Sequence, residues 1–416
     1  TGAVTVVSGN DVSLRDTNAI DLNTSTISGD MTLVTAGAVT QSGALDVNGS
    51  SSITAGSGNN VTFDASSNDF TGAVAIVSGN DVTLRDTNAM VLGTSAISGD
   101  LNITTGGAVT QTGALDVNGT ITVTAGSANN ITLNNAANDF TGDVRVISGN
   151  DVSWRDANAM SLGINTVSGD LSVVTAGGLT DNGMVRVSGT TSLTVGSGND
   201  ITLDNSSNEY TGALTIVSGN DVRLDSGDPI EFAASTVSGN LSVYTSAAVT
   251  QSGALDVNGI TTLSVGTANN ITLNNSGNDF TGVVMVSTGN DVSLRDTNAL
   301  SLAGSTITGD LTLVSGGAIT QTGALDANGA TSITAGSGNN VTLNNSGNDF
   351  TGAVSVVSGN DVNLRDTNAI DLNTSTISGD MTLVTAGAVT QSGALDVSGS
   401  SSITAGSGNN VTFDAS

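Results

Sequence analysis

The sequence predicts an all-β protein, a parallel β-helix (β-solenoid) in which the chain winds and each short strand pairs with its counterpart one coil later. Three observations predict it. The same text returns at one fixed interval without insertion or deletion, short apolar/polar alternations fill each copy, and Ser-Gly-Asn or Ser-Gly-Asp turn signals separate them. A fixed period over the whole length marks a repeat architecture rather than a string of globular domains. Strands of three to five residues are too short to stand as isolated hairpins, but coils stacked about 4.8 Å apart pair every backbone group along the axis.

The organising stretch is Ser8-Gly9-Asn10-Asp11-Val12-Ser13-Leu14-Arg15-Asp16, a turn signal followed by Val12 in, Ser13 out, Leu14 in. It returns at Ser78, Ser148, Ser218, Thr288 and Ser358. Six repeats follow, 1–70, 71–140, 141–210, 211–280, 281–350 and 351–416, expected to form one continuous solenoid that is a segment of a longer array. Residues 1–66 and 351–416 differ only at Thr5/Ser355, Ser13/Asn363 and Asn48/Ser398, whereas adjacent repeats differ far more. A higher-order repeat of five units, and a very large parent protein, is the simplest reading.

Within a repeat the turn signal recurs at Ser8, Ser28 and Ser57. Strands are expected after each turn at Val12–Leu14, Met31–Val34 and Val61–Phe63. Second strands are expected at Ala19–Leu22, Ala44–Val47 and around Phe70, and third ones at Thr26–Ser28, Ser52–Thr54 and Val74–Val77. This is about three rungs per repeat. The longer middle rung is expected to place Ala36–Gly43 in a bulging corner or short fourth side. Repeat four reads Asp225-Ser226-Gly227-Asp228-Pro229 where the first reads Arg15-Asp16-Thr17-Asn18; proline at a corner carries no ladder bond, so the winding should continue through it.

Composition narrows the function classes. The formal charge is −29, with 37 acidic residues against eight basic ones, all arginine. That argues against nucleic acid and anionic membrane surfaces as partners, and favours divalent cations or cationic surfaces. No run of about 18 apolar residues occurs, so no membrane-inserting helix is expected. Cysteine and histidine are absent and lysine is too, which removes the usual bases and activated nucleophiles. Aromatics are 2% of the chain, so the core must be narrow and aliphatic.

Four columns of side chains invite a functional reading. The turn column Asn10-Asp11, Asp30, Asn59-Asn60, Asn80-Asp81 reads as a structural ladder, stacked amides bonding one another along the axis; the alternative is a row of weak surface calcium sites. Val195-Gly196-Ser197-Gly198-Asn199-Asp200 brushes against the calcium β-roll nonapeptide but is not tandem at nine residues. Arg15-Asp16 recurs as Arg85-Asp86, Arg155-Asp156, Arg295-Asp296 and Arg365-Asp366. A catalytic constellation is needed once rather than five times, so a surface ion pair at a corner is expected. Phe70, Phe140, Tyr210, Phe280 and Phe350 read as core plugs rather than sugar-stacking rings, and Trp154 replaces an inward leucine. The row Thr24-Ser25-Thr26 reads as outward-facing but lacks the uninterrupted array of an ice-binding face. No catalytic, cofactor-binding or metal-binding residue is assigned.

With the repeats set out, runs such as Gly9-Asn10-Asp11-Val12-Ser13-Leu14 and Gly37-Ala38-Val39-Thr40-Gln41-Ser42-Gly43-Ala44-Leu45 resemble the repeat regions of very large bacterial exoproteins of the filamentous haemagglutinin type, the two-partner-secreted adhesins. The resemblance implies a right-handed parallel β-helix, export to the cell surface or matrix, and a role in adhesion, biofilm or surface fibres. The expected function is that of a non-enzymatic extracellular shaft that gives length and stiffness, without a cofactor, self-associating end to end or laterally into fibres. The rivals are a glycan-binding module that recognises host or cell-surface glycans and, further off, a polysaccharide-cleaving β-helix enzyme.

Overall fold

The computed structural model describes residues 2–413, which form two compact units divided between Gly212 and Ala213. Each unit is a β-solenoid. Among the described residues there is no helix, and every strand pairing is parallel. The ladder climbs one coil at a time: Val82 pairs with Leu101, Leu101 with Ile121, and Ile121 with Val144. The alternation sets the cross-section. In Ile20–Leu22 both apolar residues are buried and Asp21 lies between them on the outside. The same in–out–in pattern serves Leu45–Val47, Val61–Phe63 and their counterparts, so the interior is a thin column of Val, Ile and Leu.

A coil has two broad sides and one short one. In the first unit one broad sheet runs through Val12–Asp16, Met31–Thr35, Ser51–Thr54 and Val74–Ser78, and the other through Ile20–Leu22, Val39–Gln41, Val61–Phe63 and Val82–Asp86. The short side stacks Ser25–Ile27, Leu45–Val47 and Asp69–Phe70. Val39–Gln41 is therefore a full member of a broad sheet, so Ala36–Gly43 is neither the bulging corner nor the short fourth side that was expected. The Asn48-Gly49 dipeptide supplies a further corner: the Gly49 N–H donates to Gly29 O at 2.9 Å, stacking one corner on the other.

The expectation of about three rungs per repeat resolves into three and a half. Val12–Asp16 lies in the first broad sheet, but its equivalent in the next repeat, Val82–Asp86, pairs with Val61–Phe63 in the second. The following equivalent, Val152–Asp156, pairs with Ile131–Leu133 and is back in the first. Each repeat crosses the broad sides seven times, so its successor starts half a coil out of phase and the two sheets exchange roles. The second unit does the same, with Val292–Asp296 pairing with Ile271–Leu273 and Val362–Asp366 with Val341–Leu343. Val74–Ser78 and its equivalents slip register against the strand below; Val77 is skipped there and left 51% exposed. Pro229 sits at a corner between Val222–Ser226 and Ile230–Phe232, and the ladders above both strands are regular.

One inward position is polar without a partner. Ser51, Thr191, Thr261 and Thr331 stand at the same place in four repeats, each hydroxyl buried and unbonded, whereas the second repeat has Ile121 there. A buried hydroxyl with no partner costs free energy that an isosteric methyl does not. Thr261→Val and Thr331→Val are each expected to stabilise the chain by about 1 kcal/mol, measured as a rise in the urea midpoint.

Candidate functional surface

The turn column is a ladder, but its rungs run from side chain to backbone. Asp81 Oδ1 accepts the Asp100 N–H at 3.1 Å, and Asp100 Oδ1 accepts the Thr120 N–H at 2.8 Å. The same relay runs from Asp151 through Asp170 to Thr190. One link is the expected amide-to-amide bond: Asn80 Nδ2 donates to Asn60 Oδ1 at 2.9 Å. A corner without a side chain makes the relay possible, because a Cβ on Gly99 would lie 2.1 Å from Asp81 Oδ1. One oxygen of each carboxylate is thus committed to holding the next coil. Among the described residues no group of three or more His, Cys, Asp or Glu converges as a metal site.

The Arg-Asp corner differs from the expected ion pair. Consecutive strand residues point to opposite faces, so Arg85 faces solvent while Asp86 turns inward and is buried. Asp86 Oδ2 accepts the Phe70 N–H at 3.2 Å and Oδ1 the Asn88 N–H at 2.9 Å. Asp156, Asp296 and Asp366 cap Phe140, Phe280 and Phe350 in the same way. These carboxylates end the short side of the coil, where no further strand follows to bond the aromatic residue's N–H.

Burial raises the pKa of Asp86, Asp156, Asp296 and Asp366 above the ordinary carboxylate value of 3.8, outweighing the backbone N–H groups that favour the anion; Asp69, Asp139, Asp279 and Asp349 add repulsion. A raised carboxylate pKa means that the folded state holds the proton more tightly than the unfolded chain does. Their contribution is fully present below the unfolded value and is lost as pH rises through the raised one. Thermal stability is therefore expected to increase as pH falls from 7 towards 4. The quadruple variant D86N/D156N/D296N/D366N should flatten that rise; an unchanged slope would contradict the assignment.

The aromatic column is core. Phe70, Phe140, Tyr210, Phe280 and Phe350 are buried, as is Trp154, whose ring meets Phe140 edge-on at 5.8 Å. None of these rings is available for stacking on a sugar. Ser25, expected in an outward row, is also buried: its hydroxyl accepts the Val6 N–H at 3.0 Å and donates to Asn23 O at 2.8 Å.

Sequence reading missed the most heavily bonded side chain of the repeat. Asn138 is fully buried; its Oδ1 accepts from Gln111 Nε2 at 2.8 Å and the Leu115 N–H at 3.0 Å, and its Nδ2 donates to Gln111 Oε1 at 3.0 Å and Leu133 O at 3.2 Å. Asn68 with Gln41, Asn278 with Gln251 and Asn348 with Gln321 repeat the amide pair. In the third repeat Asp181 replaces the glutamine and accepts from Asn208 Nδ2 at 2.7 Å.

The half-coil phase shapes the narrow edges of each unit. Three coils of short-side strand make a ridge, and the coils that follow on that edge turn sharply, as at 87–89, leaving a notch. In the first unit the ridges of repeats one and three share an edge and that of repeat two lies on the other, because the short side follows the second broad sheet in one case and the first in the next. In the second unit a recess of about 210 Å³ is lined by Ser276, Arg295, Thr297, Val314 and Ser315. Another, of about 200 Å³, is lined by Ser346, Arg365, Thr367, Val384 and Thr385, the same positions one repeat on. The ridges are acidic: Asp46 pairs in register with Asp69, Asp116 with Asp139, Asp256 with Asp279 and Asp326 with Asp349.

Comparison with curated proteins finds no match, and comparison with solved structures finds none either. A family described as repeats of unknown function (DUF5649) matches residues 9–77, 79–147, 149–217, 219–287, 289–357 and 359–416. The matched stretches follow the period of the sequence and cover nearly the whole chain, each starting at the glycine of the organising turn. The chain belongs to the DUF5649 repeat family, of which it carries six successive copies.

Proposed function

We propose that the chain is a structural element, a stiff segment in the shaft of a large extracellular bacterial adhesin or matrix fibre. It acts without catalysis and without a cofactor, and it neither inserts into membranes nor binds nucleic acid. One observation carries the reading. The polar side chains that a site would use, Asp81, Asp86, Asn138 and their equivalents, are spent on the backbone of the neighbouring coil, at the same positions in successive repeats. Chemistry that must happen once needs a constellation that occurs once; a shaft needs the same bond many times. Nearest-neighbour stacking of this kind gives stability that grows with coil number and resists bending. The surface location rests on the resemblance to secreted repeat exoproteins and on a net charge of −29, which keeps long chains soluble.

The test is particle length. Electron micrographs of chains with further repeats added should show straight rods growing by about 17 Å per repeat, three and a half coils at the strand spacing. Compact or jointed particles would contradict the shaft. Turnover of an acidic polysaccharide by the chain would contradict the non-enzymatic reading.

A further inference from the structure

The narrow edges carry a charge pattern that the fold does not need. Directly opposed like charges destabilise a strand pair, yet Asp46 and Asp69, Asp116 and Asp139, and Asp256 and Asp279 are register partners on the outward face of their ridges. Asp46, Asp116 and Asp256 are exposed, and among the described residues no hydrogen bond or ion pair holds their carboxylates. The third repeat shows what compensates such a pair. There the ridge carries Arg186 opposite Glu209, joined at 2.7 Å.

The opposite charge stands in the notches. Arg85, Arg295 and Arg365 are exposed and form no ion pair among the described residues, although the chain has 37 acidic residues and only eight arginines. Arg295 and Arg365 each border a recess, of about 210 and 200 Å³, whose lining also holds hydroxyls, a valine and Asp296 or Asp366. The buried Asp296 and Asp366 beside them are committed to backbone N–H groups and leave the guanidinium unanswered. Within a unit, ridge and notch each occupy about three to four coils of an edge, so ridges recur at the same interval as notches.

We propose that this protein associates side by side with a second copy of itself, the Asp–Asp ridge of one chain seated in the arginine notch of the other. The partner is argued from charge complementarity: in a protein of this composition the guanidinium notches face a surplus of carboxylates, and the ridges present them at the matching interval. Because successive ridges alternate between the two edges of a unit, each chain can take a neighbour on both sides, which leads to bundles rather than closed dimers. The third repeat, whose ridge is neutralised within the chain, is a gap in the zipper that helps set the register. The inference deepens the shaft reading and rests on it for its biological meaning only, since rod length and association are separate measurements.

The experiment is sedimentation velocity of the whole chain at neutral pH and low salt, with circular dichroism confirming that each variant stays folded. The expected result is reversible association that weakens about tenfold or more in R85D/R295D/R365D and likewise in D46R/D116R/D256R/D326R. An equimolar mixture of the two charge-reversed variants should associate again. Where reversal disturbs the fold, R85Q/R295Q/R365Q gives the same weakening without the added charge. A wild-type chain that stays monomeric up to about 1 mM, association of equal strength in all variants (end-to-end contact), or a mixture that fails to associate would each overturn the proposal.

Discussion

Asn138→Leu lowers the stability of the folded chain by about 3–5 kcal/mol. Four hydrogen bonds converge on that amide. Leucine has similar bulk but leaves the Leu115 N–H, the Leu133 carbonyl and the Gln111 amide buried with fewer partners. Each buried group left unsatisfied costs about 1–3 kcal/mol, and the groups share one network, so the sum is not simply additive. Denaturation in urea measures the total. Hydrogen exchange shows where it falls: the amides of Leu115 and its neighbours in the adjacent coils should lose protection first, because solenoid stability is local. A loss below about 1 kcal/mol would mean that water already serves those groups.

Gly119→Ala follows closely, with an expected loss of about 3 kcal/mol for a single added methyl group. A Cβ there would lie 2.4 Å from the Gly99 carbonyl carbon and 2.5 Å from its oxygen, with Asp100 Oδ1 at 2.4 Å. Both coils must move, and the relay from Asp100 to the Thr120 N–H must stretch or break. The glycines form a column, since a Cβ on Gly142 would lie 2.4 Å from Gly119 O, so no corner can yield without disturbing the next. Gly58→Ala is the matched control. Nothing lies within 4 Å of its Cβ position and its φ is not in the left-handed region, so the change should stay within about 0.5 kcal/mol of neutral. Equal effects at the two positions would show that the column is not a close-packed stack.

Much of the fold is legible because strand patterning and turn chemistry agree. Val61–Phe63 falls where the alternation places it, and Val12, Met31 and Val74 each begin a strand after a glycine-containing corner. The half coil is not legible, and the reason is physical. Both broad sheets bury the same Val/Ile/Leu positions, so nothing in Val82–Asp86 marks it as lying on the other side from Val12–Asp16. Val39–Gln41 hides because its preceding corner is Ala36-Gly37-Ala38, which lacks the Asn or Asp of the other turns, and because Gln41 turns towards Asn68 instead of continuing the alternation. Asn68 itself reads as one more turn asparagine; its burial depends on Gln41, more than a full coil earlier in the chain. Asp86 looks like half of an ion pair in the text, and only the strand pleat separates it from Arg85.

The surface was less legible than the core for the same reason. The two members of each Asp–Asp ridge pair lie a full coil apart in the chain, and the notch arginines come later still, in the following repeat, so neither pattern appears until the coils are stacked. Arg186 and Glu209 are likewise distant in the text and adjacent in register.

The central claim is that each strand lies beside the strand one coil later, in parallel and in register. The chain has no cysteine, so pyrene can be attached at two chosen positions without background. Asn102 and Thr122 are register partners on the outer surface, whereas Thr112 lies on a different side of the coil. N102C/T122C is predicted to give strong excimer emission when labelled with pyrene maleimide, and N102C/T112C to give none. Excimer from the second pair and not from the first would indicate a hairpin meander and contradict the solenoid.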